Sequence, residues 1–328
     1  MKRISYFATY AIVGILSVVS SCQEKVEVEN PYDEKVRLSV KVPMEETKVS
    51  GSVNETAIKN YQVYVFNEGE LLEAYVNSDS PDITLECTPG QKTVAVIANA
   101  PAITSVSRLS SFSSQYSQLN QNAPDAFVME GMTTVSIENK PDNTVTVPVS
   151  RHVAKIELTS FVVNFDVPQY NDLDFKVSEV FLINVPADKT YFQNSFPFIW
   201  YNKRDYVETD PNELIYDNMN NTVVALNRPY TKKNVFYCYP NPVEEDNFRT
   251  DMWKVRHTRL VVKAEFLDKV YYYPVTLPVI EQNKHYQVSL TVTRLGAETP
   301  DAVIKEYTSD FSVTVNDWGT PIPVPEKI

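Results

Sequence analysis

The chain has 328 residues, 43% of them hydrophobic, enough to bury one large core or two medium ones. Its formal net charge is -12, its isoelectric point is near 4.9, and it has no basic run. Phosphate contacts need clustered Lys and Arg, so this charge pattern excludes nucleic acid as a partner. Seven glycines, 21 prolines and abundant Tyr, Val and Thr favour strands joined by proline-punctuated loops.

The first predicted element lies outside the fold. Lys2 and Arg3 make a basic tip, the run from Tyr6 to Val19 is largely apolar, and Val19-Ser20-Ser21-Cys22 closes it with small residues. At about fourteen residues the run is shorter than the roughly 20 that span a bilayer, so residues 1–21 read as an export signal. Its removal takes away Lys2 and Arg3 and brings the formal charge from -12 to -14.

Cys22 then has two readings. It is either incidental beside an ordinary signal-peptidase site or, as preferred here, the acylated cysteine of a bacterial lipoprotein, because the segment resembles a lipobox. Cleavage would fall between Ser21 and Cys22, and the thiol would carry the lipid. Two or three acyl chains hold a protein durably at a membrane, each buried methylene contributing about 0.8 kcal/mol, whereas one chain is marginal. Residues 22–35 form an acidic-leaning tether that looks like those of surface-exported lipoproteins of the Bacteroidota.

In "VRLSVKVP", Leu38, Val40 and Val42 alternate with Arg37, Ser39 and Lys41, the period of a half-buried strand. "MEETKVSGSVNET" follows as an exposed polar loop with one basic residue, Lys48, ahead of Val49. "KNYQVYVFNEGELLEAYV" predicts a hairpin around Asn67-Glu68-Gly69-Glu70. "TPGQKTVAVIANAP" predicts a Pro89-Gly90 turn and a strand covered on both faces. Ile103, Val106, Leu109, Phe112, Tyr116 and Leu119 then recur every three or four residues, which predicts an amphipathic helix whose stripe packs on the core.

Alternation returns in "TVSIENK" and "NTVTVPVSRHVAKIELTSFVVNF", and a domain boundary is expected near residues 150–160. Beyond it, "FKVSEVFLINVP", "KNVFYCYPNP", "TRLVVKAEFLD", "KVYYYPVTLPV", "KHYQVSLTVTRLG" and "SDFSVTVNDW" are strand-like runs separated by Asn, Pro and Asp. The expected class is all-β: this spacing suggests a β-sandwich beyond the boundary, and each half reads as mainly β.

No catalytic constellation is visible. His152, His257 and His285 stand in no metal-binding spacing and read as surface or strand-edge imidazoles. Cys87 is in phase with Ile83 and Leu85, and Cys238 with Phe236; both read as buried free thiols, with a disulfide as the alternative in an exported protein. There is no nucleophile elbow, phosphate loop or zinc-protease motif, so no enzyme activity, metal or cofactor is predicted. Acidic pairs such as Glu244-Glu245 read as loop residues. Aromatics in "FPFIWYNKRDYVE" and "KVYYYP", notably Trp200 and Tyr271–Tyr273, suit either packing across a sheet or stacking on a sugar.

Eight phrases, from "NYQVYVFNEGELLEAYV" through "QKTVAVIANAP", "VPVSRHVAKIEL" and "YCYPNP" to "NKHYQVSLTVTRLG" and "FSVTVNDW", occur in the order found in FimA/Mfa-type fimbrial subunits, the type V pilins of Bacteroidota. The resemblance runs from about residue 36 to 318. It implies two transthyretin-like β-sandwich domains, residues 36–155 and 156–318, with one short helix in the first, and a tail over 319–328.

It also implies export as a lipoprotein and assembly outside the cell. In stalk members a protease cuts after a basic residue in the loop following the first strand. That strand leaves, and the C-terminal segment of another subunit fills the groove. Carried over, Leu38, Val40 and Val42 are the departing plugs, and Lys48-Val49 is the cleavage site, although lysine stands where the family's best-known members have arginine. Ile322 and Val324 of "WGTPIPVPEKI" are the donor plugs, the alternative being a disordered proline-rich tail. Pro321, Pro323 and Pro325 lack N-H groups on alternate positions, so one edge of the donor cannot pair.

The partners implied are copies of the chain, other fimbrial subunits, the outer membrane through acylated Cys22 before cleavage, and glycans or proteins of host or bacterial surfaces. The location implied is the outer membrane surface and then the fimbria. If Lys48 is not cut, the same fold reads as a permanently anchored pilus anchor or glycan-binding adhesin.

Overall fold

The computed structural model describes residues 34–43, 54–208, 212–230, 232–246, 252–302 and 309–318. Alternating burial begins at β1 (Val36–Lys41), where Val36, Leu38 and Val40 point inward. The predicted hairpin joins β2 (Tyr61–Phe66) to β3 (Leu72–Ser78); Glu70 turns the chain at φ 60°, and the Asn67 amide donates to Leu71 O at 2.9 Å. β4 (Ile83–Cys87) and β5 (Gly90–Ala98) follow, with Gly90 at φ 115°, a region that a side chain would strain. β6 (Tyr116–Gln118), β7 (Met129–Ile137), β8 (Asp142–Thr146) and β9 (Ser150–Arg151) complete the first half.

These strands form a three-stranded sheet, β4-β1-β8, and a five-stranded sheet, β3-β2-β5-β7-β9. The two enclose a core that includes Leu38, Val40, Val63, Leu85, Val96 and Val145. β5 is covered on both faces, as its continuous apolar run predicts. Val94 and Val96 enter that core, while Ala95 and Ile97 join Tyr64, Phe66 and Phe112 in a second cluster behind the sheet.

The amphipathic helix predicted across residues 103–119 is not formed. Leu109–Ser114 make a 3-10 turn, and β6 and a second 3-10 turn, Leu119–Gln121, follow. The serines compete for the backbone: Ser113 Oγ donates to Ser110 O at 2.8 Å, Ser114 Oγ donates to Ser111 O at 3.0 Å, and Ser111 Oγ accepts from the Arg108 amide at 3.2 Å. Val106 and Phe112 still bury in the second cluster, so the apolar period survives without the helix.

The second half begins at β10 (Ala154–Val163). β11 (Phe175–Ile183), β12 (Val185–Pro186), β13 (Asp188–Thr190) and β14 (Trp200–Tyr201) lead to a four-residue helix, α1 (Asn212–Ile215). Then come β15 (Tyr216–Val224), β16 (Asn234–Cys238), β17 (Arg259–Phe266), β18 (Lys269–Thr276), β19 (Lys284–Val292) and β20 (Ser309–Asp317). The sheets β16-β10-β19-β20 and β15-β11-β17-β18 sandwich a core containing Phe161, Phe175, Val262, Tyr273 and Val288. The all-β class stands; among the described residues helix is confined to 3-10 turns and α1, which lies in the second half.

The chain passes from one sandwich to the other between Arg151 and Ala154, and Ala98, Phe127 and Met129 of the first half belong to the same core cluster as β10 and β19. His152 sits at this passage fully buried, not at the surface, with Nε2 2.9 Å from Glu130 Oε2. Burial holds its pKa below the ordinary value, and the Lys189 ammonium, 2.8 Å from Glu130 Oε1, neutralises the carboxylate. Cys87 and Cys238 are buried and free.

Candidate functional site

β1 occupies the centre of its three-stranded sheet. It pairs antiparallel with β4, from Val36 opposite Cys87 to Val40 opposite Ile83, and parallel with β8, from Arg37 opposite Asp142 to Lys41 opposite Thr146. Both neighbours hydrogen-bond, within that sheet, to β1 alone. Loss of these six residues would open a full row of donors and acceptors on β4 and another on β8.

The side chains are graded along the strand. Leu38 is fully buried, Val40 and Val36 nearly so, and Val42 is only partly buried against the same cluster. Each full burial contributes about 1.5 to 3 kcal/mol. Two of the three predicted plugs are thus deep, and Val36, in phase with them and overlooked in the sequence, is the third deep one. Arg37 faces water and pairs with Asp142 at 3.4 Å between two exposed groups, a contact worth little.

Beyond the loop, at the start of the next described stretch, Glu55 is buried and holds four groups. Its Oε1 accepts from Tyr237 Oη at 2.6 Å and Lys155 Nζ at 2.8 Å, its Oε2 accepts from Trp318 Nε1 at 3.2 Å, and its carbonyl accepts from Arg151 Nε at 3.1 Å. The Arg151 guanidinium also lies 4.3 Å from the Trp318 ring centroid, and Tyr237 stacks on that ring at 5.8 Å. Glu55, near the start of the stretch described after Lys48, and Trp318, the last described residue, therefore share one buried clasp. Sequence reasoning missed it; a lone Glu between Asn54 and Thr56 carries no periodic signal.

Ser21, Cys22, Lys48, Val49, Ile322 and Val324 lie outside the described residues. Trp200 and Tyr273 are buried, and Tyr271 and Tyr272 are half-buried against the two core clusters. Trp200 packs its ring on Phe196 and Trp253, and the exposed rings of "FPFIW" are Phe196 and Phe198. Among the described residues no three His, Cys, Asp or Glu side chains are grouped to hold a metal.

Residues 36–160 match the family of the major fimbrial subunit protein (FimA). Among solved structures, a fimbrilin from Porphyromonas gingivalis aligns with a TM-score of 0.60 at 18% identity, covering 86% of this chain and 97% of that one. A candidate cell adhesion protein from Bacteroides eggerthii aligns with a TM-score of 0.62 at 18% identity, covering 87% and 96%. Another from Parabacteroides distasonis gives 0.63 at 17% identity, covering 87% and 99%. No curated protein sequence matches the chain. Residues 36–160 are thus similar to the FimA family, and the chain shares the fold of a fimbrilin, so the resemblance read from its strands is borne out.

Proposed function

We propose that this protein is a structural subunit of a cell-surface fimbria that contributes to adhesion. It is delivered as a lipoprotein on Cys22 after cleavage at Ser21-Cys22, and it polymerises once the chain is cut between Lys48 and Val49. The observation that carries this reading is the place of β1, a short central strand with partners on both sides and with Val36, Leu38 and Val40 as its buried anchors. An edge strand could leave a sheet intact; a central one leaves a groove.

That groove would present unpaired backbone groups and three empty apolar sites, which an extended peptide of another copy satisfies together. Six strand residues span about 20 Å, and the ten residues 319–328 reach about 33 Å when extended, long enough to fill it. Ile322 and Val324 would supply the side chains. The strand would be a chaperone in transit: while it is attached the groove is closed, and the lipid keeps the subunit at the membrane.

The test is deletion of residues 319–328 in cells that make the fimbria. Loss of polymer with a normally exported, folded monomer supports the donor role, and unchanged polymer refutes it. The permanently anchored reading differs in one outcome: the uncut chain would stay monomeric on Cys22 whether or not the tail is present.

A further inference from the structure

Beside the passage between the sandwiches, β13 pairs antiparallel with β6 and then gives way to a loop, residues 191–199, that returns at β14. Asp188 is buried, and its Oδ1 accepts from the Phe198 amide at 3.0 Å and the Ile199 amide at 2.7 Å. Thr190 and Ser195 join hydroxyls across the same loop. These bonds hold the loop as one wall of a cleft of about 490 Å³, with Pro240, Pro242 and residues 279–282 as the other. Ligand-binding clefts run from about 300 to 1,000 Å³.

The rim is aromatic and open. Phe196, on the lining, is 51% exposed; Phe198, two residues on, is 71% exposed and stands edge-on to Tyr116 with centroids 5.7 Å apart. Large rings left in water beside a cleft mark a contact surface. The polar lining comprises the amides of Gln193, Asn194 and Gln282, the Ser195 hydroxyl, the Asp188 and Glu281 carboxylates and the Lys189 ammonium; Asp188 is already committed to the Phe198 and Ile199 amides.

Lys189 is the one cation on the lining among the described residues, and its Nζ is committed to Glu130 Oε1 at 2.8 Å and to Thr190 O at 3.1 Å. An anionic ligand would find no counter-charge there, and a wholly apolar one would strand the amides. A pyranose ring has one face of C-H groups to lie on a phenyl ring and an edge of hydroxyls that both donate to carboxylates and exchange hydrogen bonds with amides.

We propose that this cleft binds a neutral saccharide, with Phe196 as the stacking platform and Gln193, Asn194 and Glu281 as hydroxyl partners. The cleft is built outside the β4-β1-β8 sheet, so its function does not depend on release of β1, and a failure of one proposal leaves the other standing.

The test applies the purified uncut protein to an array of neutral and sialylated oligosaccharides. Expected is saturable binding to neutral members, weakened about tenfold by Phe196→Ala and by Gln193→Ala, with melting temperature and polymer formation unchanged. Gln193→Ala serves alone if the ring variant loses its fold. No binding to any neutral member, binding confined to sialylated members, or undiminished binding by folded variants would each overturn the assignment.

Discussion

Trp318 Nε1 donates to Glu55 Oε2 at 3.2 Å across 263 residues of sequence. This bond ties Trp318, just ahead of residues 319–328, to Glu55 in the first segment described after Lys48. The contact is buried, and Arg151, Lys155 and Tyr237 reinforce it. Trp318→Ala removes a ring that packs on Phe127 and Tyr237, and should cost about 3 to 5 kcal/mol in urea unfolding at neutral pH. Glu55→Ala should cost a similar amount, because it leaves Lys155 and Tyr237 without their shared acceptor in a buried site. A loss below about 1 kcal/mol in both variants would show that the clasp does not hold Trp318.

The gradation along β1 makes a second prediction. Leu38→Ala should lower the stability of the uncut protein by about 2 to 5 kcal/mol, while Val42→Ala, at a partly buried position, should cost well under half as much. Chemical unfolding of the two variants side by side decides it. Equal losses would mean that the strand is not anchored as described.

Gly131 predicts a steric effect. A Cβ there would stand 2.0 Å from Pro148 O, where the chain leaves β8 for β9, so the backbone must move. Gly131→Ala should destabilise by about 1 to 3 kcal/mol, and it should loosen the β8 side of the sheet first, read as faster amide exchange at residues 142–146.

A fourth prediction concerns acid. The Glu157 carboxylate is lowered from 4.5 to about 2, chiefly by the hydrogen bond from His285, against the opposing effect of burial and with further help from the Lys233 ammonium. Its folded pKa lies below its unfolded value. The stability it contributes is therefore present above about pH 4.5 and is lost as the pH falls towards 2. Glu157→Gln should be less stable than the parent at neutral pH, and its stability should fall less steeply between about pH 4.5 and 2. Parallel acid limbs for the two proteins would remove this role.

The strands were legible in the sequence because a period of two is a direct trace of a face buried against a core, as at Leu38 and Val40 or Cys87 and Leu85. The stretch 103–119 misled because its apolar spacing fits a helix, while the serines between divert the backbone hydrogen bonds that a helix needs. His152 was misplaced for a different reason: it follows an alternating strand, and only the docking of one sandwich on the other buries it. The Glu55 clasp was invisible because its members lie at residues 55, 151, 155, 237 and 318, and no local pattern links them. The β1 plugs were read from period; that β1 lies between β4 and β8 is a matter of sheet order, which a single strand's pattern does not encode.

The central claim is that β1 is a removable strand, and the N-terminus of the subunit in the polymer tests it most directly. Fibres sheared from the cell surface should yield, on N-terminal sequencing, a subunit that begins at Val49 and lacks Leu38 and Val40. A polymerised subunit that still begins at acylated Cys22 would contradict the account, because β1 would then fill its own groove and leave no place for the tail of another copy.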